Sequence, residues 1–318
     1  MKKIIILEHN GGQLANQLWL FVSVYAYCLE KKYKCNNYSF FEYGKYFHFS
    51  SGNFLFDFLK FIYFQFKNDN STYARGYRHV MRKLYHYCVV IIKLTHPNHV
   101  LRVIHDYEHN TPIYLPPSQC TSSEILEFDR EKAKSSLYFS GWLFRNPVGI
   151  LKYRGEIKEY FLPKKKYIIA AQKRIEKYRK LYTTIVGVHI RKRDYLHFAD
   201  GSFYFSDEEV AKMLRKYIEV FQLNISNVIF LIFSDGDVNL DDFSGLNIFL
   251  EHNEKNIGDL LELSMVDCII GSNSTFGAFA SYYGNIPQIV FQKNGIDWEY
   301  YKNKKEYFEN KYITVVGY

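Results

Sequence analysis

Two kinds of apolar pattern alternate along the chain. Short β-branched runs, which suit strands buried on both faces, occur at residues 4–7, 183–190, 228–233, 268–270 and 289–291. Between them, apolar residues recur every three or four positions, the spacing of one helical face. Leu14, Leu18, Val22, Tyr25 and Leu29 mark the first such helix, and residues 150–161, 164–181, 206–221, 257–266 and 278–283 predict others. The helix at 206 opens with Ser-Asp-Glu-Glu, a capping signal with acids in the first turn. Residues 54–66 are so aromatic that a helix buried in the first core is expected, and 88–92 read as a further short core element. Residues 95–135, with Pro97, Pro112, Pro116 and Pro117, predict loop-rich chain, after which 137–144 resume as strand and turn. From 184 onward, strict strand–helix alternation predicts a doubly wound parallel sheet. A chain of 318 residues is long for one core, and a boundary near 160–166 divides it into 1–163 and 164–318.

Composition refines this only slightly. The surplus of 29 Tyr and 27 Phe fits biased composition better than a sugar- or lipid-lining role, and a net charge of +8 favours anionic partners without choosing among them. Five cysteines without a CxxC pair read as reduced core residues. The amino terminus offers only four apolar residues after its lysines, too few for a secretory segment, and no stretch approaches the ~20 apolar residues of a spanning helix. The expectation is a cytoplasmic protein. Residues 54–66 with the basic Lys67, Arg75, Arg78, Arg82 and Lys83 beyond them would, if not buried, suit peripheral contact with an anionic membrane at its inner face.

The candidate chemistry lies at strand ends. In open α/β sheets ligands bind beyond the carboxyl ends of strands, and three polar tips fall there: His189-Ile-Arg-Lys-Arg-Asp194, Ser234-Asp-Gly-Asp237 and Ser272-Asn-Ser-Thr275. The cations Arg191, Lys192 and Arg193 suit a phosphate or diphosphate, with Arg adding forked hydrogen bonds. The glycine turn Gly11-Gly12 opens the first helix with Asn16 and Gln17 in its first turn, an arrangement that can cradle a phosphate. Asp235-Gly-Asp237 is also a DxD, so a metal-dependent transferase of another nucleotide sugar is an alternative. A basic nucleic-acid-binding protein is a second alternative, but the basic residues are scattered and no nucleic-acid module is evident.

With these residues assembled, the chain resembles the α-1,2-fucosyltransferase family, GDP-fucose-dependent inverting enzymes that share an H-x-R-R-x-D motif. His189-Ile-Arg-Lys-Arg-Asp194 is similar to that motif, and Gly12-Gln-Leu-Ala-Asn-Gln17 to the family's G-G-x-G-N-Q segment. Ser140-Gly-Trp-Leu-Phe144 falls where the family has an aromatic G-Y-x-Q-S stretch, Phe233-Ser-Asp235 resembles its F-S-D strand end, and Asn273-Ser-Thr-Phe276 its N-S-T-F element. The resemblance implies a GT-B-like fold, two Rossmann-type domains with the donor cleft between them. It makes 1–163 the acceptor-side domain and 164–318 the donor-nucleotide-binding domain. It implies Arg191, Asn16 and His189 as catalytic residues. Arg191 would neutralise the leaving β-phosphate, Asn16 would close on the same diphosphate, and His189 would meet phosphate or shape the Arg191 loop. Lys192, Ser234, Asn273, Ser274, Thr275, Phe276 and Gln17 join the donor site, with Asp194 and Asp235 suited to guanine or ribose. No metal and no cofactor beyond the GDP-fucose substrate are implied. The partners implied are a GDP-sugar donor and an oligosaccharide or lipid-linked glycan acceptor of surface polysaccharide synthesis. His9 and His48 are candidate general bases. The chain departs from the family at Lys192, Arg193, Gln13 and Ala15.

Overall fold

The computed structural model describes residues 2–8, 12–40, 42–65, 72–96, 100–103, 136–141, 145–251 and 256–302. The chain divides between Lys164 and Lys165 into two compact units. Each is a parallel α/β sheet clothed by helices, the mixed architecture expected of a GT-B-like chain.

In the first unit, β1 (Lys3–Glu8), β2 (Lys34–Asn37), β3 (Val100–Val103) and β4 (Ser136–Gly141) form a parallel sheet in the order β2-β1-β4-β3. Alternation along β1 sends Ile5 and Leu7 to one face. There they meet Tyr38, Phe56, Leu59, Met81 and Val89 of a core that includes α2 (Phe54–Gln65) and α3 (Thr72–Thr95). Helix α1 (Leu14–Lys31) is buried around most of its circumference, and α4 (Pro147–Lys152) and α5 (Arg154–Tyr160) pack against it. Its Phe21 meets Phe40, Phe49 and Phe161 edge to face, and Tyr25 stacks on Tyr160. Much of the aromatic surplus is therefore packing.

Several expectations change here. Residues 88–92 are not a separate element but the last turns of α3. Helix α2 buries Phe56 and Leu59 yet leaves Phe54, Leu55, Phe58 and Phe61 in solvent, so it is not the core helix expected. Strand β3 lies inside the stretch expected to be irregular. Residues 104–135, Trp142, Leu143, Phe144 and His9 lie outside the described residues.

The second unit opens with α6 (Lys165–Arg179) and carries β5 (Thr184–Ile190), α7 (Asp207–Val220), β6 (Val228–Ser234), β7 (Ile248–Leu250), α8 (Asn256–Leu263), β8 (Cys268–Gly271), α9 (Thr275–Gly284), β9 (Gln288–Val290) and α10 (Trp298–Lys302). All strands are parallel, in the order β7-β6-β5-β8-β9. Val186, Val188 and Ile190 of β5 pack on Val210, Ala211 and Leu214 of α7. Gly187 faces the opposite side, where an added Cβ would stand 2.6 Å from Leu263 Cδ2. Helix α7 begins with the expected capping box, Ser206 and Glu209 each closing on the other's backbone N–H. Among the described residues no helix is long and apolar enough to cross a membrane. Cys28, Cys35, Cys88 and Cys268 are free thiols.

Candidate active site

The order of the second sheet fixes where a ligand can sit. Its first strand, β5, is central; the chain moves outward through β6 and β7, then returns to add β8 and β9 on the other side. The crevice of such a sheet lies at the carboxyl ends where the order reverses, between β5 and β8. The segments His189–Asp194 and Ser272–Thr275 leave the sheet at that point, with Ser234–Asp237 beside them on β6.

Hydrogen bonds tie the three tips together. Ser272 Oγ accepts from Arg191 N at 2.9 Å, and Ser272 N donates to the His189 carbonyl at 2.9 Å. On the other side, Asp235 Oδ1 accepts from Lys192 N at 2.7 Å and from Arg193 N at 3.4 Å. The loop after β5 is thus held by its backbone from both neighbouring strands. Gly271 permits the close approach, since a Cβ there would stand 2.5 Å from the His189 carbonyl oxygen.

The side chains divide into exposed and internal groups. The Arg191 guanidinium forks onto Asp194, Nε to Oδ1 at 2.7 Å and the second nitrogen to Oδ2 at 2.8 Å, and meets Asp235 Oδ2 at 3.3 Å. Hydrogen bonding to Asp194 raises the Arg191 pKa, and the same bond holds the Asp194 carboxyl below its ordinary range. The guanidinium also lies 5.8 Å over the Tyr195 ring, whose hydroxyl donates to the Asn273 carbonyl at 2.6 Å. Arg191 is half-buried and reachable from solvent.

Lys192, expected at the phosphates, instead turns its ammonium inward. It pairs with the buried Asp207 at 2.7 Å and donates to the Asp237 carbonyl, and Asp207 also accepts from Asn239 N at 2.9 Å. His189 lies on the face opposite α7. Its ring is buried, stacks on Phe276 with centroids 5.3 Å apart, and leaves Nδ1 without a partner. Burial, and secondarily the Arg191 charge, push its pKa down to about 4. The ring is neutral at pH 7 and brings no positive charge to a phosphate. A Cβ on Gly277 would come within 3.0 Å of Gln288 Nε2 and 3.5 Å of His189 Nδ1, so the first turn of α9 lies directly over the ring.

Helix α9 presents its amino terminus to the crevice. Ser274 is its N-cap and accepts from Phe276 N at 3.1 Å, while Thr275 and Phe276 are half-exposed. Ser274 and Asn273 are buried. Ser234 Oγ accepts from Gly236 N, bracing the β6 tip. In the first unit Gly12 adopts φ +76°, and a Cβ there would collide with Asn16 at 2.5 Å. Gln17, expected as a donor ligand, is buried and donates to the Gly12 carbonyl at 3.2 Å. Asn16 remains half-exposed. Roles that sequence reasoning missed are those of Ser272, Tyr195 and Asp207. Their roles carried no signal, because each acts through a partner that only the folded sheet supplies.

The family described as Glycosyl transferase family 11 matches residues 151–315, just over half of the chain. No curated protein matches the chain in sequence. Among solved structures, the α-1,6-fucosyltransferase NodZ soaked with GDP-fucose, a protein from Bradyrhizobium, superposes with a TM-score of 0.54 at 13% identity over 93% of this chain and 97% of that one. A mutant of Arabidopsis thaliana FUT1 in complex with GDP gives 0.50 at 14% identity over 91% and 70% of the two chains. POFUT1 in complex with GDP-fucose gives 0.50 at 12% identity over 91% and 97%. At these identities the likeness is one of fold. With more than half its length matched, and with a braced cationic loop at the switch point of its second sheet, the chain belongs to glycosyl transferase family 11.

Proposed function

We propose that this glycosyltransferase moves fucose from GDP-fucose, with inversion, to a hydroxyl of a glycan acceptor, forming an α-1,2 linkage in surface polysaccharide synthesis. The observation that carries the reading is the Arg191 loop, clamped by Ser272 and Asp235 at the sheet's switch point. In the transfer, an acceptor hydroxyl passes its proton to a base of the first unit, for which the exposed His48 is a candidate, as its oxygen bonds to the anomeric carbon and the bond from that carbon to the β-phosphate oxygen breaks. The negative charge left on GDP is met by Arg191 and by the positive end of the α9 helix dipole. Thr275 and Phe276 line that helix start, with Ser274 capping it. The 164–318 unit takes the donor-binding role and 1–163 the acceptor side. Asn16 enters the reading through its motif. Gln17 and Lys192 support the phosphate loops from within, and His189, buried and uncharged, shapes the Arg191 loop. The linkage and the glycan class follow the motif resemblance, and a lipid-linked acceptor fits a protein working at the cytoplasmic side of a membrane.

A metal-dependent reading would place the ion on Asp235 and Asp237. Against it, both oxygens of Asp235 are already engaged: Oδ1 accepts from the Lys192 and Arg193 amides, and Oδ2 pairs with the Arg191 charge. Thermal unfolding with GDP, UDP or CMP, each with Mn²⁺ or EDTA, separates the two. A ligand at 100 times its dissociation constant stabilises by about 2.7 kcal/mol. GDP alone should do so regardless of EDTA, and Arg191→Ala should remove transfer while keeping the fold. Stabilisation by UDP that requires Mn²⁺ would sink the proposal.

A further inference from the structure

Helices α2 and α3 pack on each other through Phe56 and Tyr85, rings 5.6 Å apart, and bury one face each. Both leave a second apolar face in solvent. On α2 this face holds Phe54, Phe58 and Phe61, at helical spacing, with Phe54 86% exposed and stacked along Phe58. On α3 it is a stripe of Val80, Leu84, Tyr87, Ile91 and Leu94, recurring every three to four residues over four turns. Its inward face, Met81, Tyr85, Cys88, Val89 and Ile92, is a different stripe of the same helix. A soluble helix normally shows one apolar face, and exposed apolar surface that is this continuous marks an interaction site.

Charge selects the partner. Helix α3 contains Arg75, Arg78, Arg82, Lys83 and Lys93 and no Asp or Glu. Arg82 and Lys93 are answered by Glu42 and Glu8 from elsewhere in the unit. Lys83 is exposed and borders the stripe, three residues from Val80 and four from Tyr87. A second copy of the chain docked on this face would set one all-basic helix against another. An anionic bilayer surface supplies the opposite charge to the basic flank and an apolar layer for the aromatic face. We infer that α2 and α3 form a peripheral docking surface for anionic phospholipid, which seats the first unit on the membrane with the phenylalanines of α2 and the stripe of α3 in the interface.

The inference stands apart from the donor chemistry, and its test needs no activity. The full chain is sedimented with vesicles of neutral phosphatidylcholine and of phosphatidylcholine with 30–40% (roughly) phosphatidylglycerol, a composition chosen to give a strong surface potential. The wild type should pellet with the anionic vesicles and remain in solution with the neutral ones, with binding weakened by salt. Lys83→Ala should lower the partition coefficient about fivefold, and Phe54→Ser/Phe58→Ser by at least about tenfold, with circular-dichroism melts matching the wild type. Failure to bind anionic vesicles, or equal binding to both compositions, overturns the inference. So does a wild-type dimer in light scattering that the double serine variant converts to monomer, because the face would then belong to a second copy.

Discussion

The buried imidazole of His189 makes the second unit's stability depend on pH in a direction and size that can be worked out. In an unfolded chain the ring takes a proton near pH 6.5; in the fold it does not until about pH 4, because burial and then the Arg191 charge oppose the cation, with Asp235 acting weakly the other way. Between those values the unfolded state binds more protons, so stability rises with pH. The contribution is complete above pH 6.5 and is lost as pH falls through 4. At 1.36 kcal/mol per pH unit, a displacement from 6.5 to about 4 corresponds to about 3 kcal/mol. His189→Asn removes the titration and leaves a side chain that fills part of the same space. It costs stability at pH 7.5, where the stacking on Phe276 is lost. Relative to the wild type it should then recover about 3 kcal/mol between pH 7.5 and 4. Urea unfolding of both proteins across that range, alongside an imidazole ¹⁵N titration by NMR, measures both quantities. A wild-type-minus-variant difference that stays constant with pH, or a ring that titrates near 6.5, would mean that water reaches His189, and the burial argument would fail.

Other perturbations probe the clamp around that ring. Lys192→Met strips the buried Asp207 of its cation and should destabilise by about 3–5 kcal/mol, most of it recovered on adding Asp207→Asn; chemical denaturation of the cycle measures this. A ligand role for the ammonium would instead show as lost GDP affinity at unchanged stability. Asp194→Asn opens the exposed fork on Arg191 and should change stability by less than about 1 kcal/mol; because Asp194 is displaced before the chemical step, the variant should change GDP affinity more than kcat, measured by calorimetry and steady-state kinetics. Gly271→Ala drives a Cβ toward the His189 carbonyl at 2.5 Å and should cost about 1–3 kcal/mol together with nucleotide binding, read by thermal shift with and without GDP.

The parts of this architecture that sequence made legible share a cause. Strands β5, β6 and β8 are buried on both faces, so nothing dilutes their apolar runs, and each ends abruptly in polar residues. Strand β2 is Lys34-Cys-Asn-Asn37, whose asparagines are buried by tertiary packing, and its pattern carries no strand period. Strand β7, at the sheet edge, is only three residues with Phe249 in solvent. Helix α3 was obscured because arginines and histidines interrupt two apolar stripes, so only its densest stretch at 88–92 stood out. The aromatic richness of α2 suggested burial, but composition cannot say which side of a helix meets the core. At the site, the residue types were legible and their partners were not. The inward turn of Lys192 depends on Asp207, which reaches it from the start of α7, and the Ser272 clamp exists only because β8 pairs with β5.

That distinction bears on how the proposed chemistry would start. The backbone of the Arg191 loop is held on one side by Ser272 and on the other by Asp235, so binding a donor requires no rebuilding of the loop. What must yield is the Asp194 fork, and Asp194 is the more exposed partner, its side chain 57% accessible against 23% for Arg191. An ion pair of that exposure contributes no more than about 1 kcal/mol. A diphosphate offers a bidentate anion of higher charge to the same guanidinium. On that proposal the exchange would be favourable, and Asp235, whose Oδ2 lies 3.3 Å from the same Arg191 Nε, would remain to orient the cation after Asp194 lets go. On the proposed reading, Asp194 stands where the anion that Arg191 would receive is expected. The pair would hold the guanidinium in place at low cost, so that the proposed catalytic charge is oriented before a donor arrives, as electrostatic preorganisation requires.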